Sequence, residues 1–254
     1  MKSKTLFLAL ALVAGTATAS QAADPAPPKT VGPKLEVPET VFDYGYTAQA
    51  SKISHVFWLK NTGTDTLRLT DVRPGCGCTK APLKKKALAA GDSTDVEVVF
   101  STGTYSGTVR KSSTILMESP GEAPPVLAFT AFPTPTPDSL RPVTFSPPRL
   151  NLDSLRDLAK APVWDCKVSV RNWSDQKLRI RQVSPPLAHI HVEVPKGDIA
   201  PGEMSSLHIK IDPVDVDTMI AKSLTFEVSD SSHTRYTLPI VKENRWEQVP
   251  AAAH

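Results

Sequence analysis

The sequence predicts an all-β chain of two tandem β-sandwich domains joined by a Pro/Thr-rich linker, and three observations carry that expectation. Apolar and polar residues alternate over short segments bounded by Pro, Gly, Asn and Asp, with no long helical stripe. The segments recur at a constant offset of 111 residues. Between the two sets lies Phe132-Pro133-Thr134-Pro135-Thr136-Pro137, where alternating Pro and Thr favour an extended, semi-rigid spacer.

The elements follow in order. Lys2 and Lys4 precede the apolar run Leu6 to Ala14, and small residues then lead to Ser20-Gln21-Ala22. This is the charged, apolar and small-residue order of a cleaved signal peptide over residues 1–22. The run is shorter than the roughly 20 apolar residues of a membrane span, and no second one follows, so no transmembrane segment is expected. The protein is expected to be exported, and to be periplasmic or secreted. A Pro-rich lead fills 23–33, the first domain 34–132, the linker 133–140, the second domain 141–247 and a polar tail 248–254.

Within the domains, Val96, Val98 and Phe100 share one strand face, as do Leu207, Ile209 and Ile211. Leu67-Arg68-Leu69 falls on Leu178-Arg179-Ile180 at the common offset, and Lys111-Ser112 falls on Lys222-Ser223. Asn61 matches Asn172, and Gly91 matches Gly202. Asn61-Thr62-Gly63 reads as a hairpin turn in which Asn and Gly tolerate positive φ. Ala90-Gly91-Asp92 and Pro201-Gly202-Glu203 read as tight turns feeding the next strand. Asn172-Trp173-Ser174 fits a glycosylation sequon, but Asn61 does not, so a turn role accounts better for both.

Charge excludes some functions. Lys2 and Lys4 supply two of the three net positive charges, leaving +1 on residues 23–254. Such a balance gives no reason to expect nucleic acid or an anionic membrane as partner. Sequence signatures of a serine hydrolase, a phosphate loop, a zinc protease or a dinucleotide site are missing. Asp43, Asp71 and Asp92 are scattered at turns and strand ends and form no recognisable acid–base pair.

The chemistry-bearing motif is Cys76-Gly77-Cys78-Thr79, with two of the chain's three cysteines. On an extended strand their Cα atoms would lie about 6.6 Å apart, so a disulfide would require Gly77 to bend the chain. Three roles stay open: a local disulfide that pinches the loop, a copper or zinc site, and a redox dithiol tuned by Lys80 and Lys84 to Lys86. His189 stands at the offset position of Cys78, and with His191 it forms a second metal candidate. Against this, both histidines alternate with Ile190, Val192 and Val194, the pattern of a half-buried strand with a solvated face. Cys166 matches His55 at the same offset and has no assigned role.

The first domain resembles a bacterial family of exported domains of unknown function, number fifteen seventy-three. The resemblance rests on Phe42-Asp43-Tyr44-Gly45, Asn61-Thr62-Gly63, Leu67-Arg68-Leu69, Cys76-Gly77-Cys78-Thr79, Leu88, Gly91-Asp92, Phe100, Gly107 and Lys111. Ala90 departs from its usual Pro, Gly75 from its frequent Ser, and Leu187-Ala188-His189 replaces Cys-Gly-Cys in the second domain. The resemblance implies an immunoglobulin-like β-sandwich in the cell envelope and no reaction, and the internal repeat extends it to two tandem immunoglobulin-like β-sandwiches. The expected function is a non-catalytic binding or structural module contacting an envelope protein or polymer, without a cofactor. The alternative is a small copper- or zinc-binding or thiol-redox protein acting through Cys76 and Cys78.

Overall fold

The computed structural model describes residues 32–118, 123–135, 141–153, 163–212 and 219–243. The expected signal peptide, most of the lead, residues 136–140 of the linker and the tail lie outside them. The first half of the described chain holds β1 (Leu35–Glu36), β2 (Val41–Ala48), β3 (Lys52–Asn61), β4 (Leu67–Pro74), β5 (Thr79–Lys80), β6 (Ala87–Leu88), β7 (Ser93–Ser101), β8 (Val109–Met117) and β9 (Val126–Thr134). The second half holds β10 (Val143–Ser146), β11 (Leu150–Asn151), β12 (Trp164–Asn172), β13 (Ile180–Gln182), β14 (Ile190–Glu193), β15 (Met204–Ile211), β16 (Ile220–Val228) and β17 (Arg235–Lys242). The architecture is all-β, as the alternation predicts, and immunoglobulin-like, as the family resemblance implies.

Alternation sets which face each strand buries. On β3, Ile53, His55, Phe57 and Leu59 turn inward, and paired β7 turns in Val96, Val98 and Phe100. These pack with Phe42, Tyr44, Leu69 and Phe129 into a first core. A second core gathers Val168 and Val170 of β12, Leu207 and Ile209 of β15, Leu224 and Phe226 of β16, and Ile240 of β17. Each such large side chain taken fully out of water contributes about 1.5–3 kcal/mol. The free thiol of Cys166 lies in this second core, and burial pushes its pKa up, with Asp165 adding to the shift.

Three sheets carry these faces. One runs β1-β3-β7-β5, another β10-β12-β15-β14, and the third β13-β16-β17-β2-β9-β8-β4-β6 with β11 also on β17. The third sheet crosses from one half of the chain to the other. β16 occupies one edge of β17 along its length, so β11 and β2 share the other edge, both parallel to it. Tyr46 pairs with Tyr236 and Thr47 with Thr237. β9 runs through Phe132, Pro133 and Thr134 and pairs them with Tyr46, Thr47 and Ala48 of β2. The start of the expected spacer is therefore sheet.

The halves meet closely. A Cβ built on Gly45 would lie 2.0 Å from the carbonyl oxygen of Arg235, and Gly45 has a φ of 61°, so only glycine fits. The Thr237 hydroxyl donates to the Tyr44 carbonyl (2.7 Å). Ser223 Oγ accepts from the Ser54 N–H (3.0 Å) and donates to the Ser54 carbonyl (2.9 Å), capping an otherwise open stretch of β3. Lys222 pairs with Glu97 at 2.6 Å. Arg235 is held by Glu227, which also binds Arg181. Burial pushes the Glu227 carboxyl up, but hydrogen bonds from the two guanidiniums outweigh it and hold the group below the usual carboxylate range.

The asparagine turns differ from expectation. Neither Asn61 nor Asn172 has a positive φ, and both are fully buried. Asn61 Nδ2 donates to the carbonyls of Asp65 and Leu88 (2.8 and 2.9 Å), and Asn172 Nδ2 to those of Gln176 and Ile199 (2.7 and 2.9 Å). All four acceptors keep the 111-residue offset. Gly63 is required by space rather than φ: its Cβ would lie 2.2 Å from the Gly32 oxygen. Nor is this a hairpin, because β3 pairs with β7 while β4 pairs with β6 and β8, so the turn is an arch between sheets. Gly91 and Gly202 do adopt positive φ, 84° and 75°, and each donates its N–H to the matching Asn carbonyl at 2.9 Å.

His55 lies among aromatic rings, stacked 3.6 Å from Phe42. Its Nε2 meets Glu39 at 2.8 Å, and its buried Nδ1 has no hydrogen-bond partner among the described residues. Burial drives its pKa down; the Glu39 bond and charge oppose the shift, and Arg235 adds to it.

Three outcomes are expected from urea denaturation. Asn61→Ala and Asn172→Ala each cost about 2–3 kcal/mol, because each strands buried carbonyls. Gly45→Ala costs about 2–4 kcal/mol through strain and the Arg235 contact. Because the folded pKa of His55 lies below the unfolded value of about 6.5, the unfolded chain protonates first, so stability falls as pH drops through about 6.5 toward the folded pKa. His55→Phe keeps the stack on Phe42 and removes that part of the slope between pH 7.5 and 5.5.

Candidate functional site

The Cys-Gly-Cys segment is a turn between two sheets. β4 ends at Pro74, and the Gly75 N–H donates to the Ser112 carbonyl of β8 (2.9 Å). The Thr79 N–H donates to the Cys76 carbonyl (3.3 Å), closing a four-residue turn with Gly77 and Cys78 at its corners. The Ser101 N–H then donates to the Cys78 carbonyl (2.9 Å), tying the exit to β7. Turning the chain brings the two Cα atoms to 5.3 Å, and a disulfide joins Cys76 to Cys78. The bend does not depend on a glycine: Gly77 is exposed, has no left-handed φ, and a Cβ on it would meet nothing within 4 Å.

Hydroxyls surround the sulfurs. Thr79 Oγ1 lies 3.5 Å from Cys76 Sγ and 3.9 Å from Cys78 Sγ. The Tyr105 hydroxyl donates to Cys78 Sγ at 3.7 Å. Lys111 Nζ sits 4.7 Å above the Tyr105 ring, which leans on Phe100 with centroids 5.6 Å apart. Gln49 donates to the Tyr105 carbonyl (2.7 Å), and the Tyr105 N–H donates to the Thr102 carbonyl (3.0 Å), so the phenol is held in place. Cys78 packs against the first core, while the turn at Gly77 faces solvent. Of the basic stretch, Lys80, Lys85 and Lys86 are exposed and Lys84 is paired with Asp95.

The residues proposed for a metal are not brought together as one site. Cys76 and Cys78 lie in the turn between β4 and β5, whereas His191 is on β14 and His189 just before it, in the second half. Both histidine side chains are exposed and face one carboxylate oxygen of Asp212, His189 Nδ1 at 3.6 Å and His191 Nε2 at 3.3 Å. Ile190 between them is buried. Among the described residues no three His, Cys, Asp or Glu side chains gather as a metal site. Asn172 offers no free amide to a glycan in the folded chain, since its Nδ2 is occupied by two carbonyls.

Sequence reasoning finds the two cysteines and Thr79 in one motif, and misses Tyr105 beside Cys78 and Lys111 over the Tyr105 ring. Tyr105 is 27 residues from Cys78 and reaches it only because β7 returns alongside β5. The nearby Gly103 and Gly107, both with positive φ, are the signal that a shaped loop lies there.

Comparison with known proteins follows this geometry. No curated protein matches the chain. Among solved structures, a protein of unknown function from Porphyromonas gingivalis W83 is similar at 14% identity, covering 83% of this chain and 99% of its own, with a TM-score of 0.35. The E. coli chaperone DraB is similar at 10% identity, over 81% of this chain and 96% of its own, with a TM-score of 0.31. PapD-like domain 7 of human CEP192 is similar at 12% identity, over 48% of this chain and 99% of its own, with a TM-score of 0.33. Residues 35–132, from β1 to the Phe132 of β9, match the family described as "Protein of unknown function (DUF1573)", and the match spans the first domain.

Proposed function

We propose that the protein is exported, loses residues 1–22, and acts in the bacterial cell envelope as a non-catalytic binding module built from two copies of one immunoglobulin-like domain. The observation that carries this reading is the lock between the halves. Gly45 against Arg235, Ser223 on the β3 backbone and the shared sheet through β17 and β2 hold two sandwiches in one fixed relation. A rigid double sandwich presents strand edges at set positions, which is what recognition by strand addition needs.

One such edge is on β15. β12 pairs with its whole length, Met204–Ile211, but β14 covers only His208 to Ile211 on the other side. Beyond Glu193 the chain leaves for the other sheet, where Ile199 bridges Leu178. The stretch from Met204 to Leu207 thus has no second strand partner among the described residues, and Met204 is 68% exposed. The occupant that fits is an extended segment of another envelope protein.

The test is made in cells. Mass analysis of the exported protein is expected to place the new N-terminus at Ala23. A photo-reactive residue at Met204 is expected to yield a discrete adduct with an envelope protein, and one at the exposed Lys60 of β3 is not. An uncleaved cytoplasmic protein, or the same adducts from both positions, would overturn the reading.

A further inference from the structure

We propose that the Cys76–Cys78 disulfide is a thiol–disulfide exchange site whose electron donor or acceptor is a dithiol or disulfide of another protein in the same compartment. The starting point is that the turn does not need the bond. In the second half, at the common offset, the Ile190 N–H donates to the Leu187 carbonyl (3.4 Å), as Thr79 does to Cys76 (3.3 Å). The Asp212 N–H donates to the His189 carbonyl (2.9 Å), as Ser101 does to Cys78 (2.9 Å). Leu187-Ala188-His189 turns the chain between the same two anchors with no sulfur, with His189 left-handed (φ 64°) where Cys78 is not. A half-buried disulfide that flanks the exposed Gly77, and whose two backbone anchors recur without sulfur, is free for chemistry.

The surroundings assign the two sulfurs different parts. Cys78 packs on the core and alone receives the Tyr105 hydroxyl; Thr79 Oγ1 reaches both sulfurs. Exchange proceeds by attack of a thiolate in line with the S–S bond, and it is faster when the departing sulfur is the better-stabilised thiolate. The incoming thiolate of the partner therefore bonds to Cys76 Sγ. The Cys76–Cys78 bond breaks, and its electron pair leaves on Cys78 Sγ, which the Tyr105 hydroxyl faces. Lys111 over the Tyr105 ring adds positive charge beside that group.

The partner's second thiolate next attacks the partner sulfur of the mixed disulfide, and Cys76 Sγ leaves as thiolate. Two electrons have moved: the partner dithiol has become a disulfide and Cys76 and Cys78 have become two thiols. The two protons given up by the partner's thiols to water are matched by the two that the new thiolates take up. With an oxidised partner, the same steps in reverse restore the Cys76–Cys78 bond. Cys166 takes no part, since it is buried in the other core and held as the thiol.

This inference is independent of the binding reading, and its test uses the mature chain in its oxidised form with reduced glutathione as the probe. After rapid acid quench, fragmentation mass spectrometry is expected to find the glutathione adduct on Cys76, formed in protein that is folded by circular dichroism. Tyr105→Phe keeps the ring, its contact with Phe100 and the stacked Lys111, and is expected to slow adduct formation about tenfold by removing one hydrogen bond to a charged leaving group, with an unchanged melting temperature. A purely structural disulfide would show neither effect. Adduct on Cys78, reduction only after denaturant is added, or an unchanged rate in Tyr105→Phe would each overturn the proposal.

Discussion

The arrangement depends on the contact of two backbones at Gly45. The Arg235 carbonyl stands where a side chain on that residue would be, and the close approach lets Tyr46 and Thr47 pair with Tyr236 and Thr237. Once those pairs form, β2 belongs to both halves: β9 lies on one edge and β17 on the other. Thr237 can then reach the Tyr44 carbonyl, and Ser223 can satisfy both backbone groups of Ser54. Glu227 holds Arg235 from the second half, so a buried carboxylate with two guanidiniums stands behind the junction. Buried charge is tolerable only with such pairing.

Much of each half is legible in the sequence because its determinants are local. The inward faces of β7 and β15 can be read from alternation alone, and so can the turns at Gly91 and Gly202. The 111-residue offset reaches further than alternation. It relates the carbonyls that Asn61 and Asn172 bind, although neither acceptor set carries a signature of its own. What the Asn side chains do was not legible, since a turn asparagine at positive φ and a buried asparagine bracing two loops have the same neighbours in sequence. Their burial depends on the loops before β7 and β15 folding back over them, a tertiary fact.

The continuous sheet was illegible for a related reason. Parallel pairing of β2 with β17 joins residues about 190 positions apart, and the two strands have no complementary pattern beyond being strands. Pro133 and Thr134 read as spacer on composition, yet they close the pairing of β9 with β2, whose register slips between Asp43 and Tyr46 around the left-handed Gly45. Proline is acceptable there because it lies near the end of its strand. Composition reports what a segment tolerates, and the partner strand decides which option is taken.

The two turns at Cys76 and Leu187 show how this constraint bears on chemistry. Both are held by the same pair of main-chain hydrogen bonds, so their side chains carry less of the task of shaping the chain. In one turn the side chains are two sulfurs beside a phenol; in the other they are an apolar residue and exposed imidazoles beside Asp212. A scaffold that fixes the backbone independently of the side chains can carry a reactive group without losing its shape when that group changes state. That matters most for a disulfide, because opening it would otherwise release the loop it closes. Here the Thr79-to-Cys76 and Ser101-to-Cys78 bonds run through the main chain and not through the sulfurs, so the loop has anchors besides the disulfide.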